Sequence, residues 1–204
     1  LTIGQEEGFL NVTPLVLLCI WILFLVLFIR IQKRINEPMM DLSLFSSRLF
    51  SVNIATGFLS FLGSSGIVLL MPFYLENILL REPQTAGLML AVLPISMGLA
   101  APLAGSISDR VGTRLLTVIG LSIALFGYGA VSTLNESTTT VGYLLRFIPL
   151  GIGMGIFQSP NNSAIMGSAP KKRLGVASGL LAITRTLVQT TGISIFGALW
   201  AARI

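Results

Sequence analysis

The segment G-S-I-S-D-R-V-G-T-R, which begins at Gly105 and ends at Arg114, places one acid among glycines and arginines between two apolar runs. The carboxylate of Asp109 can accept hydrogen bonds from a helix N-terminus or pair with an arginine. Gly105 lets two helices approach closely, and Gly112 permits a tight turn. Arg110 and Arg114 hold the segment at a membrane surface. The pattern predicts a tight turn at a membrane surface and no catalytic centre.

Two arginines, Arg146 and Arg185, lie inside apolar runs, where a charge usually faces a cavity or a partner. Arg185 lies about ten residues into its run, which at about 1.5 Å per residue is near the midplane of a bilayer. No acid lies deep in any run. Arg185 therefore either meets a backbone carbonyl, a substrate or a carboxylate elsewhere in the protein, or extends to the inner surface. Arg146 lies near the outer end of its run, which favours extension to the surface over a role in a cavity or in coupling.

Three amide side chains, Gln158, Asn161 and Asn162, surround Pro160 within one apolar run. A proline frees a backbone carbonyl in a membrane helix, and neighbouring amides can satisfy it. This structural role is favoured over contact with a substrate, because polar groups in membrane helices more often join helices. Glu76, at the end of another run, is interpreted as a solvated acid at the membrane surface rather than a proton carrier.

Residue types that many enzymes and metal sites use are rare in this chain. It has no histidine, which removes the usual general base and the commonest metal ligand, and one cysteine, Cys19. No G-x-x-x-x-G-K-[ST] loop is present for ATP binding. The sequence therefore predicts no cofactor, no metal site and no enzyme activity. The net charge of +5 is assigned to basic cytoplasmic loops and not to nucleic acid.

The composition indicates an all-α integral membrane protein. Of 204 residues, 53% are hydrophobic and 10% are charged, whereas about a quarter of a soluble domain is charged. An apolar run of about 20 residues crosses a bilayer as a helix. Six such runs are predicted to span the membrane: Pro14–Ile29, about Leu49–Leu75, Thr85–Ile107, Leu115–Leu134, Val141–Met166 and Leu174–Ala202.

Basic residues are concentrated in the odd-numbered connections between these runs. Those connections hold nine of the 13 lysines and arginines: Arg30, Lys33, Arg34, Arg48, Arg110, Arg114, Lys171, Lys172 and Arg173. The opposite side holds five acids and two arginines: Glu6, Glu7, Glu76, Glu82, Glu136, Arg81 and Arg203. Because cytoplasmic loops are rich in lysine and arginine, the odd-numbered connections are predicted to face the cytoplasm, with both chain ends outside.

The first connection has its own pattern. Pro38 cannot continue the first helix, so the helix is predicted to end before it. The segment Asp41–Phe50 then places Leu42, Phe45 and Leu49 at helical spacing. This spacing predicts a short amphipathic segment on the inner membrane surface.

The segment from Gly105 to Arg114 resembles the signature loop of the major facilitator superfamily, G-x-L-a-D-r-x-G-r-[kr]. The resemblance implies that the segment acts as a conformational gate, and we call it the gate segment. Five positions match and two differ: Gly105, Asp109, Arg110, Gly112 and Arg114 match, while Ile107 and Thr113 replace the usual leucine and first basic residue. The family also carries an R-x-x-Q-G pattern in its other half. Around Arg146 the glutamine is absent and Gly151 is one position late, which argues against a proton relay at Arg146.

The apolar run before residue 36, followed by E-P-M-M-D-L-S-L-F, is similar to the 14-span drug:proton antiporter branch, which inserts two helices between its halves. The stretch Phe157–Pro170, continuing as L-G-V-A-S-G, resembles a late span and its loop in that branch. The resemblance implies a C-terminal portion: residues 1–35 are an extracellular start and an inserted helix, 36–48 a cytoplasmic linker with the amphipathic segment, and 49–204 five helices of the C-terminal half without its last span. Because residue 1 is Leu1 and not methionine, a longer parent protein is expected.

The resemblance implies part of a secondary active transporter in the cell membrane, namely a proton-coupled multidrug efflux antiporter that works by alternating access. Its partners would be a hydrophobic and in some cases cationic small molecule, protons, the lipid bilayer and an N-terminal transporter half. Two alternatives stay open. One is a facilitator that exports a metabolite or siderophore. The other is a truncated membrane protein that does not transport and serves as an assembly partner.

Overall fold

The computed structural model describes residues 12–32 and 42–201. Six long helices account for most of this part: α1 Val12–Gln32, α2 Arg48–Phe73, α3 Pro83–Val111, α4 Thr113–Val131, α5 Thr140–Ser168 and α6 Leu174–Ala201. Short 3-10 turns at Leu42–Ser46 and Lys171–Arg173 precede α2 and α6, and a π-helical turn at Tyr74–Ile78 extends α2. The prediction of an all-helical chain with about six long helices is confirmed, and the ends of the helices differ from the predicted ones by a few residues.

Four of these helices are long and apolar enough to cross a membrane: α2 with its π-helical turn, α3, α4 and α5. In α1 the apolar stretch Leu15–Leu27 is shorter. The 28 residues of α6 are long enough to cross. Arg185 and Gln189 lower the mean hydropathy of the central turns of α6.

Helix α5 lies at the centre of the packing, since it contacts α4, α3 and α2, while α2 also packs along α6. Its fully buried side chains include Phe147, Leu150 and Ile165. Small residues allow this close arrangement: a Cβ on Gly151 would lie 2.7 Å from the carbonyl oxygen of Leu93 in α3. Helices in membranes associate through such small-residue contacts, because no hydrophobic driving force moves apolar side chains out of lipid.

Two apolar clusters mark the two ends of the helix bundle. Leu44 and Phe50 from the start of α2 meet Ile165 and Ala177, where α5 ends and α6 begins. At the opposite end a second cluster joins the ends of α2 and α4 to the starts of α3 and α5. The connections α3–α4 and α5–α6 and the start of α2 therefore share one end, which carries the described basic residues of these connections. The side chain of Lys172 is not described, and Glu6, Glu7, Lys33, Arg34 and Arg203 lie outside the described residues.

The segment before α2 consists of the 3-10 turn at Leu42–Ser46 and the first turn of α2. Leu44 and Phe50 are buried, whereas Phe45 and Leu49 are 41% and 56% exposed. The hydroxyl of Ser47 accepts a hydrogen bond from the N–H of Phe50 and so caps the start of α2. The amphipathic segment on the inner membrane surface stays a prediction, and an exposed Phe45 and Leu49 are compatible with it. The predicted helix break at Pro38 lies outside the described residues.

Helix α1 exposes every side chain that the structure describes in it, including Cys19 and Trp21. This exposure is expected for a helix that faces lipid. Helix α3 contains two prolines in its interior. Pro94 and Pro102 both lie inside one continuous helix, as membrane helices allow when neighbours satisfy the freed backbone groups.

Candidate functional site

A single residue, Gly112, joins α3 to α4. Its φ of +90° and ψ of 152° fall in a region that is open to glycine and strained for other residues. Its N–H donates to the carbonyl of Ser108 at 2.9 Å and so closes α3. The glycine predicted for a tight turn is therefore required by the conformation of the backbone.

Gly105, Asp109 and Arg110 lie on the last turns of α3, and Arg114 lies on the first turn of α4. A Cβ on Gly105 would lie 3.0 Å from Oγ of Ser159, so the predicted close approach of two helices joins α3 to α5. Asp109 and Arg110 are exposed. Within the described part of the chain, the carboxylate of Asp109 makes no hydrogen bond and no ion pair. The acid therefore faces away from the packed helices, where a partner from outside this part can reach it.

The last basic residue of the gate segment, Arg114, borders a cleft of about 670 Å³ together with Arg48 at the start of α2. Polar groups are added to the cleft by Asn53, Thr56, Thr113 and Thr117, and the other lining residues are apolar. Arg114 of the gate segment and Arg48 thus border the same cleft, at the end of the bundle that is predicted to be cytoplasmic.

A second cavity, of about 550 Å³, is lined by α2, α3, α5 and α6. We call it the central cavity, and its lining is mostly apolar and aromatic: Phe61, Ser64, Ile67, Val68, Pro72, Leu90, Leu93, Pro94, Met97, Tyr143, Phe147, Met154, Gln158, Arg185 and Gln189. Pockets that bind small molecules have this size and combine apolar walls with a few polar groups. Of the predicted site residues, the cavity brings together Arg185 and Gln158.

Arg185 contacts an aromatic ring. Its guanidinium carbon lies 4.7 Å from the centroid of Phe61, within the range of a cation–π contact. Its Nε is buried and has no hydrogen-bond partner among the described residues. The sequence suggested a carbonyl, a carboxylate or a substrate as the partner. Phe61 was not predicted, because no local pattern links residues on two different helices. Gln189 was also missed, although it follows Arg185 by four residues and so shares its helical face.

The three amides around Pro160 have different surroundings. Gln158 lines the central cavity. Asn161 is 2% exposed and accepts a hydrogen bond from the hydroxyl of Thr56 at 3.3 Å, which links α5 to α2. The Oδ1 atom of Asn162 is buried without a partner. The arrangement of Asn161 is that of a residue that joins helices, and Gln158 is the amide that a ligand in the cavity can reach.

Arg146 lies apart from both sites, near the start of α5. Its Nε donates to the hydroxyl of Thr133 at 3.0 Å, and its NH1 donates to the carbonyl of Gly142 at 2.9 Å. The first bond connects α5 to the turn that follows α4, and the second lies within α5. Arg146 is not among the described residues that line the central cavity, so its surroundings agree with a position at the outer surface.

Comparison with known proteins identifies the family. The model of the Major Facilitator Superfamily matches residues 3–193. The chain belongs to the major facilitator superfamily. Among its relatives, the uncharacterized transporter YebQ of Escherichia coli is 36% identical over 83% of this chain and 37% of its own length. The riboflavin transporter RibZ of Clostridioides difficile is 30% identical over 97% of the chain and 42% of its own length.

A third superfamily relative, the multidrug resistance protein Stp of Mycobacterium tuberculosis, is 28% identical over 98% of the chain and 37% of its own length. These relatives are transporters and not enzymes, in agreement with the sequence prediction. The chain spans 37% to 42% of the length of the three relatives. The gate segment, which resembles the superfamily signature loop, lies where α3 ends and α4 begins. Both helices pack against α5.

Proposed function

We propose that this chain is the C-terminal portion of a secondary transporter that exports hydrophobic small molecules from the cell in exchange for protons. The central cavity is the observation that carries this proposal. It is lined by four helices, has the volume of a small-molecule site, and combines an apolar wall with Arg185, Gln158 and Gln189. Relatives with a multidrug resistance name support a hydrophobic substrate.

Alternating access is the mechanism that we propose for this chain. The described helices would form one wall of a site that an N-terminal half completes, and the two halves would rock around the bound substrate. The chain covers less than half of its relatives' length, which supports a second half in the parent protein. The positive charge of the connections at one end of the bundle supports placing that end in the cytoplasm.

Asp109 and its neighbouring arginines would act as a latch at that cytoplasmic end. The acid is exposed and faces away from the helices of this chain. In one conformation of the transporter it would pair with an arginine or a helix N-terminus of the other half, and in the other conformation it would be released. A latch shifts a conformational equilibrium only by the difference in its energy between the two states.

Proton coupling would rely on acids of the other half. The acids of the described chain are Glu76, Glu82, Asp109 and Glu136, and all four are exposed at helix ends or in connections. None of them lines the central cavity in the described part. The N-terminal half would therefore carry the proton, while this half contributes to the substrate site.

The proposal is tested in inverted membrane vesicles that contain the full-length parent protein. Respiration acidifies the vesicle interior, and the uptake of two fluorescent probes of opposite charge, ethidium and fluorescein, is followed over time. We expect uptake of at least one probe, and we expect a protonophore to abolish it. Vesicles without the protein serve as the control. If neither probe moves although the protein is inserted, proton-driven export of hydrophobic compounds is refuted.

A facilitator that exports a metabolite is the second candidate. The relative named as a riboflavin transporter favours it. In that case, riboflavin and not the dyes would cross the membrane, and a protonophore would leave its flux unchanged. Adding riboflavin to the same vesicle assay separates the two candidates.

A further inference from the structure

Two hydrogen-bond donors of residues that line the central cavity have no acceptor within residues 12–32 and 42–201. They are the Nε atom of Arg185 and the hydroxyl of Tyr143, and both atoms are buried. Tyr143 is 0% exposed, and its ring stacks on Phe147 with 4.1 Å between ring centroids, which holds the ring in place. Buried polar groups are nearly always hydrogen-bonded in folded proteins, so two unpaired donors in one cavity require an explanation.

The charge of the cavity wall is positive. Arg185 is the one charged residue among the described residues that line it, and a guanidinium keeps its proton in proteins. The contact with Phe61 lowers the free-energy cost of burying the guanidinium charge, but it supplies no acceptor for the N–H groups of Arg185. A cation in this cavity would be repelled by Arg185, whereas an anion would be attracted and would also accept hydrogen bonds.

We propose that the central cavity binds an amphiphilic compound with an anionic oxygen group, such as a carboxylate, and that Arg185 holds this group. This inference rests on the proposed function, which makes the cavity a substrate site. The planar guanidinium presents paired N–H donors that match a carboxylate. Gln158 and Gln189 add amide donors from the same wall.

The remaining wall suits the apolar body of such a compound. Tyr143 and Phe147 come from the start of α5, and their stacked rings form one surface of the cavity with Leu90 and Leu93 of α3. The preferred substrate thus carries an anionic group and an apolar or aromatic body, in place of the cationic group expected from the family resemblance.

The test measures binding of fluorescein and ethidium to the purified full-length parent protein by fluorescence anisotropy. Fluorescein is anionic and ethidium is cationic, and both are aromatic. We expect fluorescein to bind the wild type more tightly than ethidium does. Arg185→Gln should weaken fluorescein binding about tenfold or more, because it removes a charged hydrogen-bond donor. Ethidium binding should stay unchanged or become tighter. Arg185→Lys should retain part of the fluorescein affinity, since it keeps the charge and loses the planar donors.

Arg30→Gln is the matched control, because it removes the same charge from an exposed position on α1. It should leave the affinities for both dyes unchanged. Equal fluorescein affinity in the wild type and Arg185→Gln would overturn the inference, and would indicate that a carboxylate of the protein already neutralises the arginine. If Arg185→Gln weakens the binding of fluorescein and ethidium to the same extent, the inference is overturned as well, because such a loss indicates a structural role for Arg185. If fluorescein binding depends on Arg185 while neither dye is transported, the proposed function fails and the binding site stands.

Discussion

Gly120 on α4 and Gly153 on α5 face each other across a gap that admits only hydrogen atoms. A Cβ on either residue would lie 2.9 Å from the carbonyl oxygen of the other. On the opposite side of α5, a Cβ on Gly155 would lie 2.5 Å from the carbonyl oxygen of Met97 in α3. The backbone of α5 is therefore in direct contact with the backbones of two neighbouring helices.

Replacing Gly120 with alanine should lower the stability of the protein. The added methyl group would overlap the backbone of α5 and force the helices apart, at a cost of about 1–3 kcal/mol. The midpoint of thermal unfolding of the full-length parent in detergent measures this effect. Gly129→Ala is the control on the same helix, because a Cβ there meets nothing within 4 Å. Equal midpoints for the two variants would contradict the close approach.

The turn at Gly112 should not tolerate a side chain. An L residue at a φ of +90° is strained by about 1–3 kcal/mol, so Gly112→Ala should unfold at a lower temperature and transport more slowly. Gly98→Ala in the helical part of α3 is the control, since a Cβ there also has open space around it. If both variants behave like the wild type, the turn does not need glycine.

Asp109→Asn should reduce the transport rate without changing the amount of inserted protein. The amide keeps the size of the side chain and removes the charge that the proposed latch requires. Initial rates of dye uptake in inverted vesicles, divided by the amount of protein, provide the measurement. Glu136→Gln removes an exposed acid at the other end of the bundle and should leave the rate unchanged. An unchanged rate in Asp109→Asn would refute the latch.

The orientation predicted from basic residues can be measured with single cysteines. In a version of the parent protein without other cysteines, Glu136→Cys and Lys171→Cys occupy exposed positions at opposite ends of the bundle. A maleimide that cannot cross membranes should label Glu136→Cys in intact cells and should label Lys171→Cys only after the cells are opened. The reverse labelling pattern would invert the proposed topology.

Helices could be predicted from this sequence because each apolar run is a local property. Long apolar runs, the single-glycine turn and the family motif all depend on neighbouring residues, and the structure contains each of them. The N-terminal cap at Ser47, which separates α2 from the 3-10 turn before it, was not predicted, because apolar spacing alone does not show where one helix ends and the next begins. The contact between Arg185 and Phe61 could not be predicted, because it depends on how α2 and α6 pack. Unpaired donors such as the hydroxyl of Tyr143 become visible only when every acceptor around them is known.

The contact between Arg185 and Phe61 also bears on how the protein is made. A ribosome delivers α2 to the membrane well before α6, and α6 then arrives with an arginine near its centre. In insertion experiments such an arginine costs about 2.5–3.5 kcal/mol, so a helix of moderate hydropathy integrates poorly by itself. The ring of Phe61, which precedes α6 in the chain, would then be in the bilayer when Arg185 arrives and would offer the guanidinium a cation–π contact there. Through this contact the second helix would lower the free energy of inserting the sixth.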